Sequence, residues 1–507
     1  MKKWWSASVG VVAGVFTVGV ATLLAALMTT AGLSGGTPSP VVAVGGAFID
    51  RTPPWLKDFA VATFGTLDKT ALLVGMAVFL TIVCAVIGLV GARRPTVGLV
   101  VFGFLGAIAM LAVATRPFSG PFDLLPTVIG TVAGLWALST LWRRAEQGAN
   151  GTVVDRRRLL LGGAGFTVAG LTAATLGQSF GQRAGLAAQS RSTVRLPRAG
   201  RTVVVPPGAQ LDVAGITPYI MPNADFYRID TALVVPRLDA AGWSLKVHGM
   251  VDREVTIDWA TLLTKSMQDS LVTLMCVSNE VGGDLTGNAV WTGWPVRELL
   301  KLAGPTSGAD MVLSTSSDGW TAGTPLSVLT DDRNALLAIA MNGQPLPFEH
   351  GFPVRMVVPG LYGYVSATKW VSDLKVTTFA SDQGYWTPRG WSALGPVKTE
   401  SRIDVPRSGD RVSAGKVAVA GIAWAQHRGI KAVDVRVDEG PWQPARLAEE
   451  PTIDSWRQWV LPWQAVKGNH TITVRATDNE GVVQTQTQAP PAPDGATGWH
   501  TITVNVA

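Results

Sequence analysis

The chain has 507 residues, 47% of them hydrophobic and only 15% charged, with a formal net charge of +6. An ordinary soluble domain carries about 25% charged residues, so a uniformly soluble chain is excluded. The basic residues gather beside apolar runs and in one linker and form no patch or stripe, which excludes nucleic acid as a partner.

Residues 1–180 hold four apolar runs, at Ser8–Met28, Thr70–Ala92, Thr96–Thr115 and Phe122–Trp142. Each is close to the roughly 20 residues that a bilayer core requires. A fifth, Leu159–Leu176, is shorter and rich in Gly and Ala. Lys2 and Lys3, Arg93 and Arg94, and the group Arg143, Arg144, Arg156, Arg157, Arg158 flank these runs on alternate sides. The positive-inside rule then predicts a multi-pass protein of the cytoplasmic membrane, N-terminus inside, with everything after about Gln178 outside. The stretch "DRRRLLLGGAGFTVAGLTAATLG" at 155–177 places consecutive arginines against a weakly apolar run. It reads either as an internal twin-arginine export signal or as an ordinary positive flank. The five histidines all follow the spans, and no C-x-x-C-H occurs. The expectation is a lipid-embedded anchor without haem.

Residues 181–212 are rich in Arg and Pro without helical period, the pattern of a linker. Residues 213–398 mix strand-like runs ("WSLKVHGMV", "FPVRMVVPG") with a short helix, "WPVRELLKLAG", closed by Gly304. This predicts an α+β domain. From 399 to 507 alternating runs such as "KVAVAGIAWA" and "HTITVRATDNEG" recur at short spacing, the signature of a β-sandwich.

The soluble part holds one cysteine, Cys276, in "LMCVSNEVGGDLTGNAVWTGWP", so no disulfide forms within it. A lone Cys is a buried small hydrophobe, a nucleophile with a base in reach, or a thiolate ligand to a metal that other groups also hold. A second segment, "MNGQPLPFEHGFPVRMVVPGLYGYVSATKW", sets His350, Arg355 and Lys369 on short strand–loop connections. Such donors suit a phosphate or another polyanion, or a solvated strand edge.

These segments resemble the sulfite oxidase family of molybdopterin enzymes over about 215–507. "MNGQPLPFEHGFPVRMVVPG" carries the resemblance most specifically. "CVSN" with "GNAVWTGWPVRELL", and "PNADFYRIDT", match further family segments, and the last hundred residues are similar to the family's immunoglobulin-like dimerisation domain. The resemblance implies molybdenum ligated by Cys276 beside a single pterin. It implies pterin contacts from Phe226, Tyr227, Arg228, Asp230, Asn279, Asp318, His350, Arg355, Thr368 and Lys369. It also implies a separate membrane or soluble electron carrier, a small-molecule or protein-sulfoxide substrate, and a homodimer through the C-terminal domain.

The chain departs from true sulfite oxidases at several positions. Glu280 and Val281 replace basic residues after the Cys-x-x-Asn, Ile229 stands where a substrate-binding arginine is usual, and Asp230–Thr231 replaces an Asn-His pair. An acidic group beside the metal repels a sulfite dianion, so the expected reaction is oxygen-atom-transfer chemistry on an unassigned substrate. An exported methionine-sulfoxide or other S/N-oxide reductase and a non-enzymatic scaffold are the alternatives.

Overall fold

This computed structural model describes residues 3–507 except 32, 35, 54–55, 57–58, 60–62, 65–67, 118, 151–152 and 183–184. Lys2, Arg183 and the side chains of Arg156, Arg157 and Arg158 lie outside the described residues. The chain forms two compact units: Met1–Leu186 with Thr231–Val235, and Ala187–Asp230 with Pro236–Ala507.

The first unit is helical: α1 (Lys3–Thr30), α2 (Pro40–Arg51), α3 (Asp68–Gly91), α4 (Pro95–Ala114), α5 (Leu125–Asn150) and α6 (Val153–Gln182). Five helices among the described residues are long and apolar enough to cross a membrane, the segments being Trp4–Thr30, Lys69–Gly91, Pro95–Ala114, Pro121–Arg144 and Leu160–Gly177. Small residues let them approach. A side chain at Gly10 would reach within 1.9 Å of the Cys84 carbonyl, and one at Gly19 within 2.1 Å of the Gly170 carbonyl. Backbones of α1 thus meet α3 and α6 directly, the close packing that small residues permit between apolar helices. Cys84 is one of the buried residues at the first of these crossings. The arginine run lies within the first turns of α6, ahead of its apolar span Leu160–Gly177, because Arg and Leu are good helix formers.

The 181–212 stretch is not a bare linker. It carries α7 (Gly185–Thr193), whose Arg191 donates to the carbonyls of Leu346 (2.8 Å) and Pro345 (2.9 Å). Tertiary hydrogen bonds supply what the missing periodicity does not. Further on, the Gly200 N–H donates to the Met267 carbonyl and the Asp269 N–H to Arg201.

Two sheets follow. In one, β1 (Ser244–Gly249) lies between β2 (Val255–Asp258) and β10 (Val371–Thr377), and β10 continues to β5 (Met311–Ser316) and β6 (Thr321–Pro325). In the other, β3 (Gln268–Met275) pairs antiparallel with β4 (Thr286–Pro295), which pairs with β7 (Leu336–Met341). β7 also pairs with β8 (Gln344–Pro345) and β9 (Arg355–Val357). β3, β4 and β7 are buried almost throughout; β7 reads as a continuous apolar run, while β3 and β4 also bury Ser, Thr and Asn side chains. The amphipathic α8 (Val296–Ala303) ends at Gly304 in the left-handed region, φ +69°, where glycine bears no steric cost.

The C-terminal part forms two further sheets. The first is ordered β11 (Glu400–Val405), β13 (Gly415–Trp424), β17 (Arg457–Ala465), β16 (Arg446–Leu447). The second is ordered β12 (Arg411–Val412), β19 (His500–Val506), β18 (Gly468–Asp478), β14 (Ile430–Val437), β15 (Gln443–Pro444). Val419, Trp459, Val435, Ile472 and Val504, drawn from both, share one core. Ile422, Trp424 and Trp456 instead join the core of the preceding sheets, so the apolar interior runs across the 398/399 junction.

Glu400, 3% exposed at the start of β11, has its carboxyl pushed up to about 8 by burial, with Lys398 opposing. A carboxyl raised in the fold contributes stability that is complete below the ordinary glutamate range and is lost as pH rises through about 8. Glu400→Gln is neutral at every pH. The wild type should therefore lose thermal midpoint relative to the variant as pH rises from about 4.5 to about 8, with no further difference above that, in calorimetric scans. Parallel curves for the two proteins would mean that Glu400 is ionised in the fold.

Candidate cofactor site

Cys276 follows β3 directly. Its N–H donates to the Leu285 carbonyl (2.9 Å), closing the loop 276–285 that returns as β4. Asn279, 1% exposed, braces that loop: its Oδ1 accepts from the Leu285 N–H (2.8 Å) and its amide donates to the Glu280 carbonyl (3.1 Å). Burial pushes the Cys276 thiol up, while the Ser278 N–H, the Ser278 hydroxyl and the charge of Lys369 act in the opposite sense. The thiolate therefore needs a cation to form, and donors already face it.

The second strand–loop connection delivers the polar groups. Arg355 starts β9 at 4% exposure. Its guanidinium lies 4.9 Å from the centre of the Trp291 ring and donates to the carbonyls of His350 (3.2 Å), Met356 (3.3 Å) and Ala367 (3.4 Å). Burial draws its pKa down to about 10, with the Tyr227 phenol opposing. Lys369 donates to Asp230 (2.8 Å) and to the Glu349 carbonyl (3.0 Å), and burial lowers its pKa to about 8 despite Asp230. Asp230 also accepts from Arg228 (2.9 Å). His350, 5% exposed, is held near pKa 3 by burial and by the charges of Arg355 and Lys369. It is neutral, and its Nε2 lies 3.2 Å from the Asn223 carbonyl, an acceptor, so Nε2 carries the proton.

Aromatic packing fixes these groups. The Phe226 ring meets His350 edge-to-face at 5.4 Å and Trp291 at 5.7 Å. A side chain at Gly287 would come within 2.6 Å of the Phe226 ring. Tyr227 stacks on Phe226 at 5.2 Å, and burial with the nearby Cys276 charge drives its phenol upward. Gly351 has φ +107°, and a Cβ there would lie 3.0 Å from the Arg355 Cβ and 3.1 Å from the Lys369 Cβ. Glycine alone lets the two basic residues stand side by side. Trp370 follows Lys369 at φ +51°, a strained position for a bulky residue.

The structure thus brings together Cys276, Phe226, Tyr227, Arg228, Asp230, His350, Arg355 and Lys369. Thr368 is fully buried and hydrogen-bonds Ser314 (2.7 Å) behind the cluster. Asp318 accepts from the Trp320 N–H (3.2 Å) in the β5–β6 turn, which reaches the cluster through the Ser317 N–H to the Trp370 carbonyl (2.9 Å). Asn279 serves the thiol loop. Ile229 is 43% exposed, and Glu280 is exposed beyond the thiol. Sequence reasoning missed Ser278, Trp291 and Gly351. Gly351 carried a legible signal, a glycine between two basic side chains on a turn.

The donor set fits an anionic pterin with a metal. Arg228 and Lys369 share the Asp230 carboxylate, and the buried guanidinium of Arg355 adds a further positive charge to the cluster, which suits a phosphate. The buried Ser317 hydroxyl has no partner beside Trp370. No group of three or more His, Cys, Asp or Glu capable of holding a metal ion occurs among the described residues. A metal at Cys276 must therefore take its other ligands from a cofactor.

Comparison with known proteins supplies the class. Residues 232–386 match the family model "oxidoreductase molybdopterin binding domain". Human mitochondrial sulfite oxidase is 31% identical over 321 residues, covering 54% of this chain and 58% of that protein. The uncharacterized oxidoreductase YuiH of Bacillus subtilis is 32% identical over 157 residues, covering 31% of this chain and 76% of its relative. The sulfane dehydrogenase crystal structure from Paracoccus pantotrophus has a similar fold, with TM-score 0.51 at 21% identity, covering 62% of this chain and 90% of that one. The chain belongs to the sulfite oxidase family of molybdopterin-dependent oxidoreductases, and its cofactor is molybdenum–molybdopterin. It spans 58% of the length of the human and macaque sulfite oxidases it matches.

Proposed function

We propose that this chain is a membrane-anchored molybdopterin oxidoreductase whose catalytic part lies outside the cytoplasmic membrane. Five apolar helices with arginine-rich flanks support the anchor and its orientation. The carrying observation for the site is the convergence of buried Arg355 and half-buried Lys369 on the same place as the thiol of Cys276.

In this reading Cys276 supplies the protein's ligand to molybdenum. Arg355, Lys369 and Arg228 hold the pterin and its phosphate, with neutral His350, Asp318, Thr368 and Ser317 completing the cradle. The bound cofactor supplies two-electron oxygen-atom-transfer chemistry. Ser278 and Lys369 stabilise the thiolate, and Phe226, Tyr227 and Trp291 exclude water from its inner side. Glu280, on the solvent side of the thiol loop, disfavours small dianions. A neutral or larger oxidised sulfur or nitrogen compound is therefore the preferred substrate class, with a separate carrier exchanging the electrons. The paired C-terminal sheets are taken as the immunoglobulin-like module of the family, through which two copies associate.

Full-length protein in detergent should contain about one molybdenum and one pterin per chain, and reduction should give a Mo(V) paramagnetic resonance signal. A folded preparation holding neither metal nor pterin would favour a binding scaffold instead. Turnover of sulfite at the rate of an S-oxide substrate would remove the argument from Glu280.

A further inference from the structure

Both flanks of Cys276 are held by the C-terminal sheets. Three residues before it, Thr273 is 2% exposed in β3. Its N–H donates to the Asp454 carbonyl (2.9 Å), its carbonyl accepts from the Gln426 amide (3.0 Å), and its hydroxyl accepts from the Trp456 N–H (2.7 Å). On the other flank, Arg402 of β11 donates through Nη1 to the Gly283 carbonyl (2.7 Å). Its Nη2 donates to the Thr217 hydroxyl (2.7 Å) and its Nε to the Asp404 carboxylate (2.7 Å). His500 of β19 packs on the same turn: a side chain at Gly282 would come within 2.4 Å of its ring.

The downstream clamp matters more. β3 is already fixed by its ladder to β4, whereas the loop 276–285 contains Gly282 at φ +80° followed by Gly283. Adjacent glycines make that turn entropically costly to fix. Asn279 braces the loop from within, and Arg402 anchors it from outside. Arg402 is 8% exposed and Asp404 9%. Asp404 both neutralises the buried guanidinium and orients its fork, so the remaining donors have one direction each. A small movement of Gly283 carries Glu280, whose carbonyl accepts from the Gly283 N–H (2.8 Å), and with it Asn279 and the Ser278 donors that face the thiol.

We infer that Arg402 is a positioning residue for the Cys276 thiolate: the C-terminal sheets set the placement of the metal-ligating loop in addition to any role in association. This rests on the assignment of Cys276 as the metal ligand. Outer groups that orient a metal ligand typically change affinity or activity about 10–100-fold when removed.

The test uses full-length holoenzyme in detergent. Arg402→Gln should keep molybdenum and pterin near one per chain, shift the Mo(V) g-values, and lower kcat about 10–100-fold. KM should change far less. Arg402→Lys should recover part of both readouts. Arg475→Gln, in β18 and paired with Asp434, should leave both unchanged. A folded Arg402→Gln protein with a wild-type Mo(V) spectrum and kcat overturns the inference. Should that variant fail to fold, Thr217→Val releases one Arg402 donor. A smaller shift of the same Mo(V) features then supports the inference, and an unaltered spectrum overturns it. Failure of the underlying assignment is separable: a wild-type Mo(V) spectrum in Cys276→Ser defeats the ligand itself, whereas an altered spectrum there with an unaltered Arg402→Gln defeats only the positioning role.

Discussion

Cys276→Ser is expected to reduce turnover by more than about 100-fold, beyond the range seen when an outer orienting group is lost. The side chains are nearly isosteric, so the loop bonds of Asn279 and the Leu285 carbonyl should persist. What changes is the donor. A thiolate is soft and forms readily beside a cation and the Ser278 donors, whereas a serine hydroxyl is hard and holds its proton. Pterin should remain bound through Arg355 and Lys369, while the Mo(V) signal changes form or disappears. Cofactor analysis, resonance spectra and thermal midpoint on one preparation check all of this. A variant with wild-type turnover would assign Cys276 to the apolar core instead.

Arg355→Met should strip the cofactor rather than alter its chemistry. The guanidinium is buried against Trp291 and donates only to carbonyl oxygens among the described residues, so its positive charge is uncompensated there. Two hydrogen bonds to a charged group are worth about 3–6 kcal/mol, or about 10²–10⁴ in affinity. Pterin content should fall to a small fraction of a mole per chain at ordinary expression levels. The cofactor-free variant should lose little thermal stability, because removing an unpaired buried charge offsets the lost carbonyl bonds. A variant that retains one pterin per chain would place the phosphate elsewhere. One that unfolds outright would make Arg355 a structural residue.

Much of this molecule was legible beforehand because its signals are local. Spans follow from run length and hydropathy. The strands at "WSLKVHGMV" and "FPVRMVVPG" follow from runs of β-formers, and α8 from its period and Gly304. The site was legible in part. His350, Arg355 and Lys369 share thirty residues with a glycine between donors, and their spacing limits how far apart they can lie. The pairing of Lys369 with Asp230, 139 positions earlier, was not legible. Asp230 was legible as a pterin contact and as a departure from the family pattern, and the fold also makes it a counter-charge to Lys369 and Arg228.

Residues 181–212 lack helical period, yet Arg191 finds two carbonyls 154 and 155 positions away and α7 forms. Helix propensity carries α6 back through the arginines that precede its apolar span, Leu160–Gly177. Asn279, read from the motif as a cofactor contact, also directs its amide into the loop that carries the thiol.

Taken by itself, the order of residues determined that five runs long and apolar enough to cross a membrane precede a part with a single thiol, and which basic residues could serve a phosphate. Those are properties of composition and short spacing, set by how long a bilayer-crossing run must be and how far a strand–loop connection can reach. Only the tertiary structure decided which donors face Cys276, that Asp230 sits between two cations, and that Arg402 from the last sheets grips the thiol's loop. These depend on desolvation and on bonds between residues more than a hundred positions apart, and no local pattern encodes either.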